Sequence, residues 1–519
     1  MADPFYITTA ISYPNGRPHI GHAYEAIATD TIARFQRQRG RDVFFLTGTD
    51  EHGLKMAQAA RERGVEPARF AEEMSRYFRE MDEKLNISFN RFIRTTEPDH
   101  HRASQAIWQA MADTGDIYLG RYEGWYSVRD EAYYDEKELV TAESGEKLSP
   151  QGTLVEWTVE ESWFFRLSAY QDRLLAHYAA NPDFIRPDSR RNEVLRFVEG
   201  GLSDLSISRT SFDWGVKAPG SENHVMYVWL DALTNYLTGI GYPDDTEPWR
   251  RYWPADLHVI GKDVVRFHAV YWPAFLMSAG LPLPKQVFGH GWLLSRGEKM
   301  SKSVGNVVDP DDLIRAFGVD QLRYFLLREV TFGQDGSYGA EAIVNRVNAD
   351  LANSFGNLAQ RTLSFIAKNC DGILPNERSS DPADRALLGH VEAAVRQEIP
   401  AHFEALALSQ GIEIWLKAVF ACNQYIDSQA PWALRKSDPE RMQAVLATLY
   451  VAIRDLAIAI MPVIPASAAR LLDAMGVPPD ARDYDALEDE GSYQRLTGSG
   501  FRLAPPAPIF PRLELPAEV

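Results

Sequence analysis

The chain has 519 residues, 45% of them hydrophobic and 24% charged, which is too long for one core of ordinary size and too apolar for disorder, so several globular domains are expected. A formal net charge of −18 excludes broad, non-specific attraction to nucleic acid, because phosphate binding rests on Lys and Arg; any RNA contact must be local. Two distant cysteines, Cys370 and Cys422, build neither a disulfide framework nor a paired zinc site, and a reducing cytoplasm fits that usage.

The opening Met1-Ala2-Asp3-Pro4 has no basic segment leading into an apolar one, and the most apolar run, around 456–464, is interrupted by Pro462 and Pro465. Neither a secretory signal nor a membrane span is expected. Residues 5–13 are apolar and β-branched and end in Pro14-Asn15-Gly16, which predicts a buried strand and a turn. Pro18 suits the first position of a helix, and residues 19–39 keep a helical pattern up to Gly40. A second buried strand is predicted over 43–47, ending in Gly48-Thr49-Asp50-Glu51-His52-Gly53. Strand, helix, strand at this spacing suggests a parallel βαβ unit with ligand groups at the strand ends.

Between about 119 and 220 the pattern changes to short strands, aromatic clusters and charged turns, as in an insertion. The α/β pattern resumes with strands over 257–260 and 287–289 and a helical stretch between them. From about Val344 the chain is nearly all helical, and Leu446, Leu449, Ile453, Leu456 and Ile460 trace the apolar stripe of a bundle helix. A Pro-rich stretch near 504–511 reads as a tail on the surface or a docking strand.

His19-Ile20-Gly21-His22 sits at the start of the first helix, where two histidines three apart share a face and free backbone N–H groups favour phosphate. Gly21 leaves no Cβ between them. Taken alone, the pattern equally describes two surface histidines or half of a metal site. Lys299-Met300-Ser301-Lys302-Ser303, between Gly297 and Gly305, offers point charges on a mobile loop to a rearranging polyphosphate. Alone, it is an exposed polar loop.

Together, in this order on a strand–helix framework, the two resemble the signature of aminoacyl-tRNA synthetases with a Rossmann-type catalytic domain. Ala10-Ile11-Ser12-Tyr13, Thr49-Asp50-Glu51-His52-Gly53, Tyr227-Val228-Trp229-Leu230-Asp231-Ala232, Ile260-Gly261-Lys262-Asp263, Phe267-His268, Trp272 and Asp350-Leu351-Ala352-Asn353 resemble the methionyl branch along essentially the whole chain. The resemblance implies that Asp50 holds the substrate α-amino group and that Ala10, Ile11, Tyr13, Trp229, Ala232, Tyr236, Val264, His268 and Trp272 form a methionine pocket. It implies that Glu25 and Asp263 bind the ATP ribose, with Gly21 and Gly261 beside the nucleotide, and that His19, His22, Lys299 and Lys302 are catalytic and serve the phosphates. Magnesium would arrive with ATP. Aromatic walls suit a thioether, each contact contributing about 0.3–1.5 kcal/mol, although any one buried aromatic is by itself an ordinary core residue, Asp50 by itself a cap and His268 by itself a core histidine.

The implied partners are methionine, ATP and the elongator and initiator methionine tRNAs. Leucine, isoleucine and valine ligases share both signatures but need a larger hydrolytic insertion, because one methylene discriminates by only about 1–3 kcal/mol. A cysteine ligase needs a thiolate-reading zinc site that two cysteines cannot supply; a small nucleotidyltransferase needs no helical bundle, and a non-catalytic tRNA-binding relative need not keep both signatures.

The expected fold is a doubly wound α/β sheet, 1–118 and 226–303, split by a connective insertion, 119–225. A stem-contact segment, 304–343, an α-helical anticodon-binding bundle, 344–495, and a tail, 496–519, follow. With no further domain after the bundle, a monomer is expected. Asn423, in Cys422-Asn423-Gln424-Tyr425, and Tyr484 are the anticodon-binding candidates. Ser127 and Asp130 stand where many relatives carry a zinc-binding Cys-x-x-Cys, so no zinc is expected, and Trp125, Tyr126, Tyr133, Tyr134, Trp157, Trp163, Phe164 and Phe165 are expected to hold the knuckle by hydrophobic packing. Asp130 and Glu131 are alternatively a hard-ligand site for magnesium or calcium, or a solvated face.

Overall fold

The computed structural model describes the chain apart from residues 1, 131, 143, 296–297, 300–307, 376–380, 490 and 517–519. Two compact units emerge, one of Pro4–Glu25 and Phe44–His290, the other of Met1–Asp3, Ala26–Val43 and Gly291–Val519.

The first unit is built on a six-stranded sheet in the order Arg91–Arg94, Asp42–Thr49, Pro4–Thr9, Leu257–Gly261, Val287–His290, Ile185–Arg186. Ile7 lies opposite Leu257 and Val259 opposite Phe288, both in parallel pairings. Strands buried on both faces require continuous apolar runs, and Phe5, Tyr6 and Ile7 are all buried. Chain order reverses between Pro4–Thr9 and Leu257–Gly261, so the loops beyond their carboxyl ends open a crevice there.

The first strand is shorter than the sequence predicts. After Thr9 the chain leaves the ladder, keeping single bonds from Ala10 N–H to Val259 O and from Ser12 N–H to Gly48 O. The first helix, Ile20–Gln38, also begins later than Pro18. The His19 carbonyl is the first acceptor, taking the N–H of Ala23, so Pro18 lies outside the helix.

The segment read as an insertion carries a four-stranded sheet ordered Leu205–Ser206, Glu156–Phe165, Ile117–Ser127, Ala132–Tyr134, with antiparallel pairing throughout. It also returns the edge strand Ile185–Arg186 to the main sheet, beside Val287–His290.

The knuckle keeps part of the expected aromatic packing, with Trp125 edge-on to Trp157 at 5.3 Å and Tyr126 against Tyr133 at 4.7 Å, but not all of it. Trp157 is 53% exposed, and Phe165 lies at the root of the insertion against Tyr170 and Phe275. Tyr134 and Val155, with Trp125 and Leu139 against them, form an apolar cluster at the tip. Its other half is polar. Asp130 Oδ2 accepts from Ser149 Oγ at 2.7 Å, from Tyr134 OH at 3.0 Å and from Thr153 Oγ1. Ser127 Oγ lies 2.7 Å from Thr153 Oγ1 and accepts the Asp130 N–H. One carboxylate surrounded by hydroxyl donors gives strong, directional bonds that aromatic contact does not. Among the described residues no group of three or more His, Cys, Asp or Glu could hold a metal ion; Glu131 lies outside them.

The second unit is helical beyond Ala340 and packs around Leu408–Gln429 and Pro439–Ile460. Pro439–Ile460 reaches a mean hydropathy of 1.6, enough to cross a bilayer, yet 94% of its most apolar window is buried inside the unit. The expected stripe is therefore a helix buried on every side from Ala444 to Ile460, which happens when a central helix is ringed by others. Beside it, Arg323 is wholly buried, 2.7 Å from Asp30, and donates to the carbonyls of Pro462 and Val463.

Candidate active site and RNA-binding surface

The histidine pair stands at the crevice. The His19 and His22 rings lie 3.9 Å apart. Gly21 N–H donates to His19 Nδ1 and His19 N–H donates to His22 Nδ1, each at 3.1 Å. Both Nδ1 atoms are acceptors, which places the hydrogen of each neutral ring on Nε2. A Cβ at Gly21 would lie 2.9 Å from His19 Cε1, so glycine is required for this arrangement.

Asp50 follows the second strand and is anchored from both sides. Its N–H donates to Ser12 O. Next to it, the Glu51 carboxylate accepts two bonds from Arg94, at 2.8 and 3.0 Å, and others from Thr49 and Thr96. His52 Nδ1 lies 2.7 Å from Asp231 Oδ2, and His100 Nε2 lies 2.7 Å from Asp231 Oδ1. Burial alone would raise the Asp231 carboxyl, but the charge of His52 and the bonds from His100 and His52 outweigh it and hold the group well below the usual carboxylate range. Trp214 closes the loop, its Nε1–H donating to Glu51 O at 2.6 Å.

The residues expected to form the methionine pocket largely converge. Trp229 stacks on Phe267 at 3.8 Å and stands edge-on to His268 at 6.3 Å. Tyr236 lies 6.1 Å from Trp272 and 5.7 Å from His268. Ala10, Ile11, Tyr13, Trp229 and Val264 are partly buried against the same core, and Ala232 is buried on the helix Val228–Leu233. His268 Nδ1–H donates to Val264 O at 2.9 Å, so Nε2 accepts from Tyr236 OH at 2.7 Å. Burial pushes His268 down to about 4, partly offset by the Val264 carbonyl, and the ring is neutral. The His258 ring lies tilted against Tyr236 at 4.1 Å, bonded through Nδ1 to Thr8, and burial holds it well below its ordinary value. A wall of neutral hydrogen-bonding groups and aromatic rings suits an uncharged, polarisable side chain.

The two carboxylates expected at the ribose are also in one place. Glu25 Oε2 lies 2.8 Å from His290 Nε2. Burial raises its pKa; His290 opposes the rise and the nearby Asp263 charge adds to it. A Cβ at Gly261 would lie 2.7 Å from Asp263 Oδ1. The Lys299 side chain and Lys302 lie outside the described residues.

In the helical unit, Asn423 Nδ2 donates to Val419 O at 3.1 Å and lies 3.5 Å from Ser354 O. Tyr484, the other candidate, is only 7% exposed and packs edge-on against Phe35 with Arg39 over its face. It has no open face for a base and is a core residue. Trp432 is exposed, at 47%, with the Arg361 guanidinium 5.3 Å above it and Arg361 paired to Asp427 at 2.8 Å. Asn357 and Arg361, four apart on one helix, share a face, and Asn353, Asn357 and Gln360 line a groove of about 370 Å³. Sequence reasoning did not place Trp432 among the anticodon-binding candidates; the signal was a large aromatic directly after Ala430-Pro431, at a helix start. It also missed His52, His100 and Asp231 as a unit, because 179 residues separate His52 from Asp231.

Residues 5–363 match the model of class I tRNA synthetases (M), and residues 374–514 match that of the anticodon binding domain of methionyl tRNA ligase. The chain is 58% identical over 515 residues to the methionine–tRNA ligase of Brucella suis, covering 98% of each, and 59% identical over 519 residues to that of Mycobacterium bovis, covering 99% of this chain and 98% of the other. Among solved structures it resembles the Mycobacterium tuberculosis methionyl-tRNA synthetase in complex with methionyl-adenylate, with TM-score 0.93, 56% identity, and 98% of this chain and 100% of that chain covered. The apo form of the same synthetase gives TM-score 0.87 at 52% identity, covering 99% of each chain. The chain belongs to the methionyl-tRNA synthetases.

Proposed function

We propose that the protein activates methionine with ATP and transfers the methionyl group to methionine tRNA, elongator and initiator alike. The observation that carries the reading is the full-length likeness to a synthetase solved with methionyl-adenylate, the product of the first step. In that step a methionine carboxylate oxygen bonds to the α-phosphorus of ATP while the bond to the β-phosphate bridging oxygen breaks and pyrophosphate leaves. In the second, a hydroxyl of the tRNA 3′-terminal adenosine attacks the carbonyl carbon, and AMP departs.

Asp50 would take the α-amino group, and Trp229, Tyr236, His268 and Trp272 the thioether. Neither step needs a covalent enzyme intermediate, so catalysis comes from holding the reactants in line and from charge stabilisation. The Nε2–H groups of His19 and His22 would donate to the phosphates, and Lys299 and Lys302 would take the departing pyrophosphate. Magnesium bound to ATP would neutralise phosphate charge. Glu25 and Asp263 would accept from the ribose hydroxyls. Trp432 and Arg361 would stack on unpaired anticodon bases, with Asn357 and Asn423 for hydrogen bonds. A cytoplasmic location fits the cysteine usage, and a knuckle without structural zinc fits its hydroxyl lining. Methionine-dependent ATP–pyrophosphate exchange tests the first step; its absence with methionine, or an equal rate with leucine, would overturn the proposal.

A further inference from the structure

Asp231 is a carboxylate with no exposed surface inside an apolar helix, Val228–Leu233. Burying a charge is expensive, and a packed apolar residue usually stabilises such a position more. Packing therefore does not account for it. Both oxygens are used, one by His52 and one by His100, each at 2.7 Å. His100 is itself fixed, with Nδ1 3.0 Å from Thr238 Oγ1 and Ser104 Oγ 3.2 Å from Nε2. His52 is two residues beyond Asp50, and Asp231 stands between Trp229 and Ala232. The carboxylate thus joins the loop proposed to hold the α-amino group to the helix proposed to hold the side chain. Glu51 and Arg94 fix the same loop to the neighbouring strand end, so Asp50 is clamped between two anchors.

We infer that Asp231 is a positioning residue for methionine recognition: through His52 and His100 it sets the spacing between Asp50 and the aromatic wall. The inference rests on the proposed role of Asp50. A ligand that spans both anchors depends on this spacing, whereas one that uses the wall alone does not. Errors of about 1 Å in such spacing cost up to about 100-fold.

The test compares methionine with its desamino analogue, 4-(methylthio)butanoate, as ligands of the whole protein. For Asp231→Asn, the affinity for methionine falls about 10- to 100-fold while the analogue's affinity and KM for ATP change less than about 2-fold. His100→Leu, which keeps the carboxylate but removes one bond, shows the same selective loss in smaller degree, and His100→Gln, which keeps a donor, restores methionine binding. Equal losses for both ligands, or none for methionine, overturn the inference; if Asp231→Asn does not fold, the His100 pair decides in the same way. A wild-type protein that exchanges pyrophosphate with methionine but binds the analogue equally well refutes the role of Asp50, and this inference with it. A wild type without exchange refutes the functional reading itself.

Discussion

A buried imidazole with no carboxylate beside it is a neutral hydrogen-bonding group, and His268 is one, donating to Val264 O and accepting from Tyr236. In the unfolded chain this ring takes a proton near pH 6.5, in the folded protein only at about pH 4. The unfolded state therefore binds more protons across that window, and stability falls as pH drops from 6.5 towards 4, by about 3 kcal/mol from this group alone. His268→Gln, which can keep both bonds, should flatten the fall of melting temperature between pH 7.5 and 5; an unchanged slope would remove His268 as its source. Lys302 is proposed to act on another quantity, through its charge as pyrophosphate departs. Lys302→Ala should slow adenylate formation about 100-fold or more and leave methionine affinity nearly unchanged, as read by stopped-flow and equilibrium titration; comparable loss in both would point to a ground-state role.

Single elements depend on polar centres that hydrophobic patterning does not reveal. At the knuckle, Asp130→Ala leaves the Ser149, Thr153 and Tyr134 hydroxyls without their shared acceptor, a change expected to cost about 2–4 kcal/mol. Hydrogen exchange should rise in the segment 124–155 before it rises in the main sheet, with or without a chelator; a chelator-dependent rise in the wild type would show that metal, not this network, holds the tip. The helix Ile20–Gln38 has a second such centre, where Asp30 is paired with Arg34 and Arg323, both at 2.7 Å. Asp30→Ala strands the fully buried Arg323 and should cost about 3–5 kcal/mol. The check is a drop in melting temperature clearly larger than that of Asp30→Asn.

Across the whole molecule, activation and tRNA charging are proposed to draw on different residues, and variants should separate them. Trp432→Ala and Asn423→Ala should impair aminoacylation of tRNA by about 10-fold or more, with base stacking worth about 1–3 kcal/mol, and leave pyrophosphate exchange intact; Tyr484→Phe should change neither. Equal loss of both reactions would mark Trp432 as structural. Much of this was legible in the sequence because it is local. Apolar runs specify buried strands, glycine and proline mark their ends, and His19-Ile20-Gly21-His22 with Asp50 follow those strands directly, so the crevice could be placed from chain order. What sequence could not supply are groupings whose members are far apart: Asp231 with His52 and His100, Asp130 with Ser149 and Thr153, and Arg361 with Trp432. Nor could it tell the exposed Trp432 from the buried Tyr484, or a stripe from a helix buried all round. Local pattern records which face a residue prefers; which distant side chain meets it there, and whether water still reaches it, is decided only when the elements pack.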